Sequence, residues 1–283
     1  MSTKCRLLAV DLDGTLVNQG RIAEQDAQAL HEACRAGLAV VLCTGRSWGE
    51  TAPVWRQLAL PQSHVPVICV GGAVVVDPHT GRSLYSRSFE HDLANELSGV
   101  LRGLGYPVMA LVDAWREGFD YFMVGQFAER PLYQRFFGQQ KARIRHVEQL
   151  DGLLSPRALR ISIIEQPEPA QKILPELKAH FAGRIELHCI NAPNYGVYIL
   201  EAFSGGTTKL SALVYVGQAM RLGTGAMAAI GDDHNDISML AGVARSAAPQ
   251  DAPPDVLAAA KSIVPARGNA AVAAFVTQLL AEA

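Results

Sequence analysis

The sequence predicts an α/β protein: a doubly wound parallel sheet into which a second, smaller α/β module is inserted. Three observations carry this. Short apolar runs without alternation suit strands buried on both faces, stretches of helical period separate them, and most of the runs end on Gly, Thr or Asp rather than on a hairpin turn. In chain order, the run Cys5 to Val10 ends at Asp11, and Ala27, Leu30 and Cys34 then recur at helical spacing until Gly37 stops them. The run Leu38 to Cys43 ends at Thr44-Gly45-Arg46, and Val65 to Val70 ends at Gly71-Gly72. Val74 to Asp77 and Ser83 to Phe89 flank Pro78-His79-Thr80-Gly81, a hairpin signal.

Beyond the hairpin the pattern changes. Short strands such as Phe119 to Val124 and Arg160 to Glu165 lie among helical stretches near Asp92 to Leu104 and Glu168 to Phe181, so residues 84–203 read as the inserted module and residues 1–83 with 204–283 as the core. Nearly balanced charges leave the module's ligand unnamed. After Gly205-Gly206, a helix from Thr208, a strand Ala226 to Ile230 and a closing helix Ala270 to Leu280 restore the parallel pattern.

Composition excludes several functions. The 283 residues are 49% hydrophobic and 18% charged, which suits a compact chain of about two domains rather than a disordered one. A formal net charge of −2 without a basic run excludes a dedicated nucleic-acid surface. The most apolar stretch, Val65 to Val76, is broken by Pro66, Gly71 and Gly72 and falls short of the roughly 20 residues that cross a bilayer. Leu7 to Val10 is too short for a secretory signal, so the expected location is the cytoplasm and no membrane partner is expected. The five cysteines show no C-x-x-C spacing and are expected to be reduced; only Cys43, before Thr44, stands where a reactive thiol would be useful.

Four constellations could carry chemistry. Asp11-Leu12-Asp13-Gly14-Thr15 follows a buried strand, and carboxylates at i and i+2 of an extended backbone face one side. There they repel each other unless a hard divalent cation such as Mg²⁺ relieves them. Thr44-Gly45-Arg46 offers a hydroxyl and free N–H groups to phosphate oxygens. Lys209, opening a helix after Gly205-Gly206-Thr207-Thr208, sets a point charge against a phosphate or an aspartyl nucleophile. Gly231-Asp232-Asp233-His234-Asn235-Asp236 gathers three carboxylates and a carboxamide after another apolar strand, which is costly without a cation. The spaced ligands of a Ca²⁺ loop are missing from it, and His234, with no second histidine nearby, reads as a solvated loop residue.

These four motifs in this order resemble the haloacid dehalogenase-like hydrolase superfamily, and the stretch from Gly231 to Leu240 resembles its Cof-type sugar-phosphatase branch. The resemblance implies a Rossmann-like core, a substrate-selecting α/β cap at the inserted module, Mg²⁺ as cofactor, and hydrolysis of small phosphate monoesters, of sugars or coenzymes, through a phosphoaspartate. Position by position it implies that Asp11 is the nucleophile, that Asp13 is the general acid and base whose backbone carbonyl also binds the metal, and that Asp232 is the third metal ligand. Thr44, Gly45 and Lys209 resemble the phosphate clamp. Asn235 and Asp236 resemble residues that orient Lys209 and the metal's water shell, Asn235 on the phosphate side and Asp236 on the metal side.

Two positions depart from the family pattern. Gly71-Gly72-Ala73 stands where relatives usually read Asn-Gly-Ala, which removes a side chain that often reaches substrate and points to a leaving group bulkier than a simple hexose. Leu210 replaces the glycine that commonly follows the lysine. The expected partner is a small phosphorylated metabolite, and the expected state is a monomer or homodimer. The rivals are a phosphomutase or phosphotransferase on the same core and a non-catalytic phosphosugar-binding protein; the paired Asp11 and Asp13 argue against the latter, because binding alone needs no nucleophile.

Overall fold

The computed structural model describes residues 4–61, 64–127, 130–138, 142–150, 158–192 and 196–282. The chain divides into two compact units, Met1–Leu84 with Thr208–Ala283, and Tyr85–Thr207. In the first unit five parallel strands run in the order Ser262–Val264, Arg245–Pro249, Met227–Ile230, Leu7–Val10, Ala39–Leu42. Every residue of the three strands from Met227–Ile230 to Ala39–Leu42 is buried, which is why these runs are continuously apolar rather than alternating. From Leu7–Val10 the chain proceeds to one side of the sheet and from Met227–Ile230 to the other. The strand order therefore reverses between Val10 and Ile230, and the crevice beyond such a reversal is where open parallel sheets bind ligands.

The apolar run after residue 64 forms a shorter strand than its length suggests, Val67–Cys69. It meets the parallel sheet only through the bridge Cys43–Ile68 and pairs antiparallel with Val74–Val76, beside which Ser83–Ser86 completes the hairpin. The cause is a turn at Val70–Gly72 with φ of 54°, 61° and 100°. A left-handed backbone is costly for a β-branched residue such as Val70. Two hydrogen bonds hold it: Val70 N–H donates to the Arg46 carbonyl at 2.9 Å and Gly71 N–H to the Thr44 carbonyl at 3.0 Å. Gly72 lies so close to the next segment that a Cβ there would stand 2.1 Å from the Thr208 carbonyl oxygen.

Helix starts near the strand ends are specified locally. Ser47 and Glu50 form a capping box at Trp48–Leu58, and Thr208 and Ser211 form one at Lys209–Ala219. Asp26, buried on the helix Glu24–Arg35, accepts the Ala273 N–H at 2.8 Å and so satisfies the start of Ala271–Ala281, the helix packed against it.

In the second unit the strand order is Ile144–Val147, Tyr121–Val124, Val108–Val112, Ala158–Glu165, Val197–Ser204, Ile185–Ala192, parallel in the first pair and antiparallel in the rest. Alternate residues, among them Ala110, Phe122, Ile161, Ile163 and Ala202, form one apolar core with Leu97 and Leu101 of the helix His91–Gly103 and Ile173 and Leu177 of Pro167–Phe181. On the opposite face of the sheet Arg160 and Glu201 form a buried ion pair, and Arg160 Nη2 also donates to the Tyr121 hydroxyl at 3.3 Å. This unit ends after Gly205-Gly206 rather than before it. Gly205 N–H donates to the Arg184 carbonyl, Arg87 Nη2 donates to the Gly205 carbonyl at 2.6 Å, and Gly206 N–H donates to Glu186 at 3.0 Å, so the turn belongs to the module. Among the described residues no helix is long and apolar enough to cross a membrane.

The contact at Gly72 yields a stability prediction. Gly72→Ala adds a left-handed penalty of about 1–2 kcal/mol and an overpacking cost of about 1–3 kcal/mol, so urea denaturation should show a loss of about 2–5 kcal/mol. Gly223→Ala, where nothing lies within 4 Å of the added methyl, is the control and should stay within about 0.5 kcal/mol of wild type. Equal midpoints for the two variants would contradict the close approach.

Candidate active site

A buried ammonium organises the strand ends. Lys209 Nζ donates to Asp11 Oδ1 at 2.6 Å and to Asp236 Oδ1 at 2.7 Å, and all three side chains are almost wholly buried. Each is delivered by a different element: Asp11 follows Leu7–Val10, Lys209 is the first residue of its helix, and Asp236 closes the 3₁₀ turn His234–Asp236. The second oxygen of Asp236 accepts the N–H groups of Asp232 and Asp233 at 3.1 and 3.2 Å, which winds the acidic loop around it. Burial works against the Lys209 ammonium, but Asp11 and Asp236 outweigh it and hold its pKa well above the ordinary lysine value.

Asp232 stands beside this centre. Its Oδ1 accepts from Thr15 Oγ1 at 2.7 Å and its Oδ2 from Arg267 Nε at 2.9 Å. Burial, helped by Asp236, pushes its carboxyl up to about 6 against the pull of Thr15 and Arg267. Burial likewise raises Asp11 well above the usual carboxylate range, with Lys209 opposing and Asp236 and Asp232 adding to it. Three buried carboxylates thus face two cations, and the cluster is short of positive charge. One oxygen from each of Asp11, Asp232 and Asp236 lies within 4.8 Å of the others. A donor set of carboxylate oxygens without histidine or cysteine fits a hard divalent cation such as Mg²⁺.

Asp13 does not enter this cluster with its side chain. Its carboxylate, about half exposed, pairs with Arg46, whose Nε donates to Oδ2 at 2.7 Å. Alternation alone placed it beside Asp11; Arg46 instead draws it to the rim, and only its backbone carbonyl remains for the metal role that the resemblance implies. Thr44 is buried after Ala39–Leu42, and its hydroxyl accepts the Arg46 N–H at 3.1 Å, which leaves its own proton to donate. Gly45 faces Asn235, whose Nδ2 would stand 3.8 Å from an added Cβ. Gly71, at φ 61° and ψ 18°, lies in the left-handed region, which among residues with a side chain asparagine and aspartate tolerate best. Cys43 is fully buried, and that burial pushes its thiol far above the ordinary value; none of the five cysteines is joined in a disulfide. His234 is exposed between Asp233 and Asp255.

Several residues that build the site carry no chemistry of their own. A Cβ on Gly14, at φ 84°, would stand 2.2 Å from Asp232 Oδ2, and one on Gly231 would stand 2.4 Å from the Asp236 carboxyl carbon. Thr15 and Arg267 hold Asp232, a role that the sequence alone gives to neither. Thr15 closes the Asp11–Thr15 motif, and the signal for Arg267 is its position, just beyond the strand Ser262–Val264 at the same sheet end as the other strand-end loops.

Comparison with known proteins bears on this arrangement. The chain is 26% identical over 262 residues to HMP-PP phosphatase of Serratia proteamaculans, covering 92% of this chain and 88% of that one. It is 26% identical over 281 residues to pyridoxal phosphate phosphatase YbhA of Escherichia coli, covering 96% and 97%. A crystal structure of a haloacid dehalogenase-like hydrolase from Bacteroides thetaiotaomicron superposes with a TM-score of 0.77 over 98% of this chain and 100% of the other, at 21% identity, and so shares the fold. The model of one enzyme family matches residues 8–276, a span that holds Asp11, Thr44, Lys209, Asp232 and Arg267 alike, and the chain therefore belongs to the haloacid dehalogenase-like hydrolases.

Proposed function

We propose that this enzyme is a Mg²⁺-dependent phosphatase that hydrolyses small phosphate monoesters by way of a phosphoaspartate on Asp11. The observation that carries the reading is the buried triplet of Asp11, Lys209 and Asp236 at the sheet's switch point, short of one positive charge. The relatives named for pyridoxal phosphate and for HMP-PP support a small phosphorylated metabolite as substrate. Five cysteines without a disulfide agree with a reducing compartment, and we place the enzyme in the cytoplasm.

A carboxylate approaching a phosphate dianion meets repulsion of about 4 kcal/mol per pair of unit charges 4 Å apart at an effective dielectric of 20. Lys209 offsets part of it. Asp11, Asp232 and Asp236, with the Asp13 backbone carbonyl, would hold Mg²⁺, which when bound draws further negative charge from the phosphoryl oxygens. Lys209 grips Asp11 Oδ1, while Oδ2 takes no hydrogen bond from the described residues and is the oxygen that attacks phosphorus. Thr44, Gly45 and Asn235 take the phosphoryl oxygens. Asp13, released from Arg46 and protonated, gives its proton to the departing alkoxide; as a carboxylate it then takes one from the water that cleaves the acyl phosphate. Positioning and charge supply the catalysis, as phosphoryl transfer requires.

Phosphate release from p-nitrophenyl phosphate should require Mg²⁺ and stop in excess EDTA. Unchanged release under chelation would end the metal assignment, and transfer to a sugar without free phosphate would favour the mutase. Asp11→Asn removes the nucleophile with almost no change in shape, so turnover should fall by several orders of magnitude while circular dichroism stays the same. Mass spectrometry of rapidly quenched wild type should find phosphate on Asp11; its absence there would exclude the covalent route. An acid matters in proportion to the basicity of the leaving group. Asp13→Asn should therefore slow single-turnover formation of the phosphoaspartate by roughly 10²- to 10⁴-fold with an alkyl phosphate and far less with p-nitrophenyl phosphate. Equal losses would rule out the acid role.

A further inference from the structure

A cation held against a carboxylate proposed to bind a divalent cation needs a physical reason, because it repels that ion. Arg267 is in that position. Its Nε donates to Asp232 Oδ2 at 2.9 Å while its Nη2 donates to the backbone carbonyl of the same residue at 3.0 Å. The planar guanidinium thus spans side chain and main chain of one residue, a restraint that a point charge does not supply. From the other side Thr15 Oγ1 holds Oδ1 at 2.7 Å, and Gly14 leaves room for Oδ2 where any side chain would collide.

Arg267 is anchored in turn. Its Nη1 donates to the Asp251 carbonyl at 2.8 Å and to Asp251 Oδ2 at 3.3 Å, and its backbone N–H donates to Asp251 Oδ1 at 3.0 Å. Asp251 follows the strand Arg245–Pro249 and Arg267 follows Ser262–Val264, so two neighbouring strand ends cooperate to fix one carboxylate delivered by a third. None of these contacts reaches Asp11 or Lys209.

We propose that Arg267 is a positioning residue that presets the Asp232 carboxylate for a divalent cation, with Asp251 as its anchor. The inference rests on the metal reading above and extends it: the fork keeps Asp232 ordered before the ion arrives, and the order gained exceeds the charge repulsion it brings.

The test uses Mn²⁺ as an ion visible by electron paramagnetic resonance, with binding read from the loss of the free-ion signal in the full chain. Arg267→Lys keeps the charge and removes the fork, and should weaken Mn²⁺ binding roughly 10- to 100-fold, the range for residues that orient a metal ligand. Arg267→Gln lacks both fork and charge and should bind more tightly than Arg267→Lys but less tightly than wild type. Asp251→Ala, which touches neither Asp232 nor the other carboxylates, should weaken binding roughly 1.5- to 5-fold, the worth of an exposed ion pair. An Arg267 that acted only through its charge would give the opposite pattern, with Arg267→Lys equal to wild type and Arg267→Gln tighter, and that result would overturn the proposal. If circular dichroism showed Arg267→Lys unfolded, Asp251→Ala would decide, and an unchanged affinity there would overturn it. Wild type that bound no Mn²⁺ would sink the metal reading and this inference together, whereas binding wild type beside unchanged variants would sink the inference alone.

Discussion

The buried ammonium of Lys209 is the interaction on which the rest of the strand-end architecture depends. An ion pair removed from water is held at a net cost unless its geometry is tight and its remaining lone pairs are satisfied. Here Asp11 and Asp236 both lie at hydrogen-bonding distance, and the outer oxygen of Asp236 closes on two backbone N–H groups. Removing Lys209 would leave two uncompensated carboxylates in the interior. The triplet therefore ties together the end of Leu7–Val10, the start of Lys209–Ala219 and the loop after Met227–Ile230, segments far apart in sequence.

Such close charge contacts demand that the backbones carrying them also approach closely, and glycines make this possible. Gly14, Gly72 and Gly231 each occupy a place where a Cβ would fall within 2.4 Å of Asp232, of the Thr208 carbonyl or of Asp236. The turn Val70–Gly72 does a second task, because its N–H groups hold the carbonyls of Thr44 and Arg46 while Gly72 abuts the residue before Lys209. One strained turn thereby lies between the Thr44 hydroxyl and the Lys209 ammonium, the two groups that the proposed mechanism brings to a phosphate. Its strain is the kind that persists only where surrounding contacts determine the backbone.

Much of this was legible in the sequence, for a physical reason. Strands buried on both faces write themselves as continuous apolar runs, so Leu7–Val10, Ala39–Leu42 and Met227–Ile230 were visible with their carboxylate or hydroxyl ends attached. Charged residues placed directly after such runs are costly unless they work, so Asp11, Asp232 and Asp236 stood out. What was not legible depends on long-range geometry. The strand Val67–Cys69 looked like another member of the parallel sheet, because left-handed values at Val70 leave no mark in a valine. Asp13 was placed beside Asp11 by alternation, since nothing local announces that Arg46, from the next strand end, competes for its carboxylate. Arg267 sits in an unremarkable loop, and only the sheet order brings it to Asp232.

The proposed mechanism asks different things of Asp11 and Asp13, and their surroundings differ accordingly. Two carboxylates, two residues apart, are sorted into different surroundings: one sealed against an ammonium, the other half exposed beside a guanidinium. A nucleophile gains from the first setting, because shedding water leaves its oxygen bare and its orientation fixed. A group that must take up and release protons in each cycle gains from the second, because it must exchange with solvent and move between partners. Arg46 suits that exchange: its pair with Asp13 lies in a region open to solvent, where such pairs are worth about 0–1 kcal/mol and so break readily. The same pair across the buried position of Asp11 would be far too costly to open in each turnover. In the proposed mechanism the division of labour between the two aspartates thus follows from depth, and depth follows from which neighbouring segment, the start of Lys209's helix or Arg46's loop, supplies the cation.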